Sequence, residues 1–331
     1  PLLIVLTRKP VCEVPETANI DELYPQPRHQ IDYRLPKPPS ILSWATPLYW
    51  LDWLMGVYQK LPMHPLRRHA ERKTAQWVLD HQEADGSWAA IQPPWVYSLI
   101  ALHNLGFPTD HPVIEKGFKG FQGFAVEEDD DMLSMQGCIS PVWDTCLVLL
   151  ALLESETDQG EPAVQNSARW LLGQQILSGG DWQVRAKDVK PGGWAFEFHN
   201  SQYPDIDDAA EVIMALNLAH LSPESEVQKK EAIDRGVNWL LGVQSKNGGW
   251  ASFDKDNDRR YMAQLPFSDF GELIDPPSVD VTAHVLEMLG TVGYAQDFQA
   301  VRRGLEYIKR QQELDGPWFG RWGVNYIYGT G

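Results

Sequence analysis

The chain has 331 residues, of which 43% are hydrophobic, with 14 tryptophans and a formal net charge of −17. That length accommodates two domains, and the acidic balance argues against a nucleic-acid partner or a generic anionic-lipid partner for the surface as a whole. Cys12, Cys138 and Cys146 have neither a disulfide framework nor metal-ligand spacing, so they read as thiols in a reducing interior.

The opening run Pro1-Leu2-Leu3-Ile4-Val5-Leu6 is too short for a secretory signal, and the missing initial methionine reads as a processed or partial sequence. Residues 1–40 are proline-rich and poor in periodicity, which predicts an extended, docked segment rather than a helix. From Pro47 to Tyr58 apolar residues occupy every face of a helix that Asp52 interrupts. It falls short of the roughly 20 apolar residues that a membrane span needs. Two readings stay open: a buried core helix, or a helix with one side on protein and the other dipped in lipid, where Trp and Tyr suit the interface.

From residue 70 a repeat appears. A helix carrying Trp77 and Gln82 runs into Gly86-Ser87-Trp88; Trp239 and Gln244 precede Gly248-Gly249-Trp250; Tyr307 and Gln312 precede Gly316-Pro317-Trp318. A looser copy runs from Trp170 through Gln175 to Gly180-Asp181-Trp182, with one extra residue, so the closing tryptophans fall at 88, 182, 250 and 318. An unusual unit occupies the interval around Phe118 to Gly123. Each unit reads as a helix ended by a left-handed glycine cap, with the glutamine bonding free carbonyls and the next unit's Trp ring. A second helix follows each, entered through Pro94, Pro141, Pro204 or Pro277, and the third residue after the proline is Tyr97, Asp144, Asp207 or Asp280. Two helices per repeat, alternately outer and inner, predict an all-α fold, an α/α toroid. Its inner-helix entries converge at one end, which brings Asp144, Asp207 and Asp280 into one neighbourhood.

The stretch Tyr203-Pro204-Asp205-Ile206-Asp207-Asp208 stands out because only this entry carries three acids. Acids in a first helical turn are ordinary dipole partners, worth about 0.3–1 kcal/mol. A carboxylate neighbour at about 4 Å opposes ionisation by roughly 4 kcal/mol at an effective dielectric near 20. Crowding therefore predicts at least one protonated carboxyl near neutral pH. His284 shares a helix face with Asp280, four residues earlier. Carboxylates, an imidazole and aromatics around one cavity suit acid chemistry on an apolar substrate, and ring faces stabilise cations by about 2 kcal/mol or more when desolvated. Trp143, Phe196, Phe253 and Trp322 sit where side chains can look into that cavity. Asp254 to Asp258 lacks the glycine and final glutamate of a calcium loop, Glu127 to Asp131 reads as a solvated loop, and Asp207 to Glu211 mimics a magnesium–diphosphate motif with no second metal motif to complete it.

The chain resembles the squalene–hopene cyclases, class II triterpene cyclases. The Gln-x-x-x-Gly-x-Trp repeats look like that family's QW motifs, and Asp205-Ile206-Asp207-Asp208 looks like its DxDD acid motif. Further matches are Ser140 to Thr145, Asp275 to His284 and Arg321 to Gly331. The resemblance implies that Asp207 donates a proton to a terminal alkene, with Asp205 and Asp208 as acidic neighbours, His284 as hydrogen-bond partner and Asp280 in the same network. It implies that Trp143, Phe196 and Phe253 line the cavity, that Trp322 and Tyr328 shape it, and that Phe267 narrows the substrate channel. No metal and no redox cofactor are implied. The implied substrate is squalene, cyclised to hopene or hopanol. Helix 47–58 is implied to contact lipid at one leaflet, on the cytoplasmic face, and a homodimer is an expectation for the complete protein.

The expected organisation is a Pro-rich segment at 1–40, part of a first α/α barrel at 41–137 and part of a second, catalytic barrel at 138–331. The chain departs from the family at Ala209, where threonine is usual, and in extent, being about half as long as such cyclases. Alone it is therefore expected to be inactive. A diterpene cyclase of the same class and a non-catalytic toroid scaffold are the alternatives; the three acids at one inner-helix entry argue against the scaffold.

Overall fold

The computed structural model describes residues 1–38, 40–43, 45–128, 132–259, 261–262, 274–323 and 325–331. Its helices are α1 (Leu2–Arg8), α2 (Ala45–Gln59), α3 (Arg67–Asp80), α4 (Gln92–Asn104), α5 (Pro112–Gln122), α6 (Pro141–Glu154), α7 (Pro162–Gly173), α8 (Ile206–Leu218), α9 (Pro223–Val243), α10 (Val279–Thr291), α11 (Gln299–Gln311) and α12 (Tyr326–Thr330). The one sheet among the described residues is an antiparallel hairpin, β1 (Ala125–Glu128) with β2 (Met132–Met135), in which Ala125 faces Met135.

Packing follows the two-layer expectation. Helices α6, α8, α10 and α12 lie side by side as an inner arc, while α7 packs on α9 in the outer layer. The outer helices also pack on the helices that precede them, α5 on α4, α7 on α6, α9 on α8 and α11 on α10. The centre of the arc is α8, and its sequence shows why. From Asp208 to Leu216 every residue is buried, so the helix has no polar face to give to water. The fold is an all-α toroid of repeats, represented here by an arc.

The repeat is held by one clasp used several times. Gln244 Nε2 donates to the carbonyls of Gly248 (2.8 Å) and Ala300 (2.9 Å), tying its own turn to the start of the next outer helix. Gln82 does the same with Gly86 and Val113. The closing indole N–H then reaches back to the preceding helix: Trp88 to the Val78 carbonyl, Trp250 to Leu240 and Trp318 to Ile308, at 2.6, 2.7 and 2.9 Å. The glutamines thus bond carbonyls and not the next Trp ring. The glycine is not the helix cap itself but the left-handed residue of the following turn, as at Gly86 (φ 97°), Gly248 (φ 98°) and Gly316 (φ 109°).

Two expectations need correction. In the third repeat the clasp closes on Gly192 and Trp194, not on Gly180 and Trp182. Gln175 donates to the carbonyls of Gly192 and Ala232, both at 2.8 Å, and the Trp194 indole donates to Leu171 at 2.7 Å. The indole reaches back 23 residues (194 − 171) where the other three reach back 10, so 13 residues are inserted in this turn. Trp182 belongs to that insertion, buried edge-on against Trp239 at 5.9 Å. The second correction concerns residues 1–40. Much of the segment is extended with short 3-10 turns, but Leu2–Arg8 is a helix packed on α3 and α4, with Ile4 only 1% exposed.

Candidate active site

The entry of α8 builds itself from its own acids. Asp205 is the N-cap, its Oδ1 accepting from the backbone N–H of Asp207 (2.8 Å) and Asp208 (3.4 Å). The Asp205 N–H donates to the Trp194 carbonyl at 2.7 Å, and the Ile206 N–H donates to the Ser252 carbonyl at 2.8 Å. The acid motif is thus pinned on both sides by the turns that close two successive repeats.

Of the three carboxyls, Asp205 and Asp208 are buried and Asp207 is partly open. Asp207 Oδ1 lies 2.6 Å from Nδ1 of His284 on α10. The same imidazole nitrogen lies 3.6 Å from Glu211 Oε1, one turn further along α8. Burial alone would discharge the ring, but its hydrogen bond to Asp207 and the charges of Asp207 and Glu211 outweigh that and raise His284 to about 9. Burial first, and the Asp207 charge after it, push Asp205 well above the usual carboxylate range. Asp208 rises for the same first reason, and next through Asp205 and Asp207; its Oδ1 has no hydrogen-bond partner among the described residues. Burial pushes Glu211 up to about 7 against the pull of His284. Burial thus favours the neutral form of each of these carboxyls. Desolvation is the main cause, whereas crowding alone was the sequence-based reason.

Of the aromatic residues, Trp143 meets this pair through a ring contact with His284. The Trp143 ring on α6 is 6.5 Å from the His284 ring, tilted by 39°. Phe253 and Trp322 meet edge-on at 6.4 Å and 88°. Phe196 stands at the entry of α6, its carbonyl accepting from the Val142 N–H at 3.4 Å. Burial raises Tyr328, as do the charges of Asp207, Asp280 and Glu211, so its hydroxyl is within their field. Asp280 is buried, and its Oδ2 accepts from the Trp322 backbone N–H at 3.0 Å. Among the described residues no hydrogen bond joins Asp280 to Asp207 or His284.

Asp144 does not join the cluster: it is exposed, with its Oδ2 accepting from Ser140 Oγ at 3.0 Å. Its helix lies in the inner arc, but its side chain serves its own helix entry. Phe267 lies outside the described residues. Glu211 was missed as a site residue, although its spacing of four from Asp207 puts both on one helix face.

Helix α2 carries Trp50, Leu51, Trp53 and Leu54 at 44–57% exposure and has no buried residue. Tyr58 differs in being partly buried, its ring meeting that of His64 at 4.9 Å. No helix among the described residues is long and apolar enough to cross a membrane.

Comparison with known proteins accords with this arrangement. The squalene-hopene cyclase N-terminal domain family matches residues 1–130, and the squalene-hopene cyclase C-terminal domain family matches residues 139–331. The chain belongs to the squalene–hopene cyclase family. It is 46% identical to the squalene–hopene cyclase of Alicyclobacillus acidocaldarius, over all of this chain and 51% of that protein. It is 37% identical to the squalene–hopene cyclase of Bradyrhizobium diazoefficiens, over all of this chain and 50% of that protein. A family relative of another name, the dammaradiene synthase of Dryopteris crassirhizoma, is 39% identical over all of this chain and 49% of that protein. The chain thus spans about half the length of the curated relatives it matches.

Proposed function

We propose that the complete protein containing this chain is a squalene–hopene cyclase that starts polycyclisation by protonating a terminal alkene of squalene. Residues 41–137 then belong to a first α/α barrel and 138–331 to the second, catalytic one. The observation that carries the reading is the 2.6 Å bond between His284 Nδ1 and Asp207 Oδ1 at the entry of an otherwise buried helix.

The roles follow from the charges. A cationic His284 donates to Oδ1 of Asp207, which leaves Oδ2 to carry the proton that is transferred. As the alkene takes that proton, Asp207 becomes a carboxylate already paired with an imidazolium, so the developing negative charge is stabilised without solvent. The neutral forms of Asp205 and Asp208 keep further negative charge away from Oδ2. The cation on the substrate then passes to the faces of Trp143, Phe196, Phe253 and Trp322, with Tyr328 shaping the cavity, until a proton is lost or water adds. None of these steps calls for a metal or an electron carrier.

An apolar substrate partitions into lipid, and α2 offers a place to meet it. Trp50, Leu51, Trp53 and Leu54 dip into one leaflet without spanning it. Incubating the complete protein with squalene and identifying products by mass spectrometry tests the reading; a pentacyclic product is expected, and recovery of squalene alone contradicts it.

A further inference from the structure

Ser252 is 1% exposed in the turn after Trp250, and its polar groups serve three different parts of the site. Its carbonyl accepts from the N–H of Ile206, the first residue of α8, at 2.8 Å. Its N–H, with those of Phe253 and Asp254, donates to the Asp275 carboxylate at 3.4, 2.7 and 2.8 Å. Its hydroxyl accepts from the indole N–H of Trp322 at 2.6 Å. Trp322 is held at its other end by its backbone N–H, which donates to Asp280 on α10, four residues before His284. Trp322 is thereby tied by its indole to the helix of the acid through Ser252, and by its backbone to the helix of the imidazole through Asp280.

The two tethers differ in what they fix. The bond to Asp280 locates the backbone of residue 322 but leaves the ring free to turn about its side-chain torsions. Among the described residues the bond to Ser252 is the side-chain hydrogen bond that sets the plane of the ring, which is half-exposed and meets Phe253 in a perpendicular, T-shaped contact. The orientation matters because a cation is attracted to the face of an indole within about 6 Å and not to its edge. The indole nitrogen is a donor with no acceptor capacity, so the partner it finds decides where the ring points.

We propose that Ser252 is a positioning residue whose hydroxyl orients the Trp322 face against the acid-bearing entry of α8, and so sets how far ring formation proceeds before the cation is lost. Asp275 supports it by holding three successive N–H groups of the turn in place. The proposal rests on the cyclase reading above and adds a determinant of product identity to it.

The test uses the complete cyclase with squalene, scoring turnover, product ratio and melting temperature together. With Ser252→Ala the share of products with fewer rings rises by about three- to tenfold, the span of one net hydrogen bond. Ser252→Thr, which keeps the hydroxyl, returns the ratio toward wild type. Trp322→Phe keeps a ring but removes the donor and gives a comparable shift, and adding Ser252→Ala to it changes the ratio no further. A merely structural serine would lower the melting temperature without moving the ratio. An unchanged ratio in Ser252→Ala, or shifts that add in the double variant, overturns the proposal and leaves the cyclase reading standing. If Ser252→Ala does not fold, an unchanged ratio in Trp322→Phe overturns it equally. Wild-type protein that gives no cyclised product overturns the cyclase reading and this proposal with it.

Discussion

His284 Nδ1 lies 2.6 Å from Asp207 Oδ1 across 77 residues of sequence, and 3.6 Å from Glu211 Oε1 on the same helix as the aspartate. One imidazole therefore faces two carboxylates on α8, and its charge is the balance point of the cluster.

The first prediction concerns pH. The folded value of His284, about 9, stands above its ordinary 6.5, so the charged ring is favoured by folding. Its contribution is fully present below about 6.5 and is lost as pH rises through about 9, worth at most about 3 kcal/mol for a side chain 28% exposed. Asp205, Asp208 and Glu211, all raised, act in the same direction because their ionisation on raising the pH also opposes the fold. Melting temperatures taken from about pH 6 to about pH 10, a range that brackets that shift, are expected to fall for the wild type and to fall less for His284→Phe. Parallel curves for the two proteins would contradict the assignment of charge.

The repeat clasp gives a second prediction. Trp194→Phe removes the 2.7 Å bond from the indole to the Leu171 carbonyl and leaves that carbonyl with the Gln174 N–H at 3.1 Å, at a cost of about 0.5–1.5 kcal/mol, the worth of one net hydrogen bond. Trp182→Phe removes an indole N–H that is buried with no hydrogen-bond partner among the described residues. The melting temperature is expected to fall clearly for Trp194→Phe and much less for Trp182→Phe. The reverse order would restore Trp182 as the closing residue of its repeat.

Repeat legibility had a physical limit here. The proline entries and the Gln–Gly–Trp turns were readable because proline fixes φ, glycine alone accepts φ near 100° comfortably, and indole needs an acceptor when buried. The third turn misled because its insertion places another buried tryptophan, Trp182, close to the expected distance. Helix α1 was illegible for a different reason. Seven residues do not hold a helix in water, and this one exists through the packing of Ile4 against neighbours far along the chain. At the site, spacing identified the helices that carry Asp144, Asp207 and Asp280, but not which way each carboxylate turns. Asp144 bonds to Ser140 on its own helix entry, a local contact that competes with any reach toward Asp207.

A third prediction addresses lipid. Replacing Leu51 and Leu54 of α2 with glutamine removes two exposed apolar side chains that make no buried contact. The complete protein should then bind phospholipid vesicles several-fold less, at about 25 cal/mol per Å² of apolar surface withdrawn from the lipid, while its melting temperature holds. Undiminished sedimentation with vesicles would place the lipid contact elsewhere.

The central claim is that Asp207 delivers the proton, and the amide isostere tests it most directly. Asp207→Asn in the complete protein keeps the shape and the helix entry, since Asp205 and not Asp207 caps α8. It can still pair with His284 through its side-chain oxygen, yet it has no acidic proton to give to an alkene. Cyclised products from squalene, measured by mass spectrometry beside the wild type at matched melting temperature, are expected to fall below about one part in a hundred, the low end of what a general acid contributes. Product within a few-fold of the wild type would contradict the account.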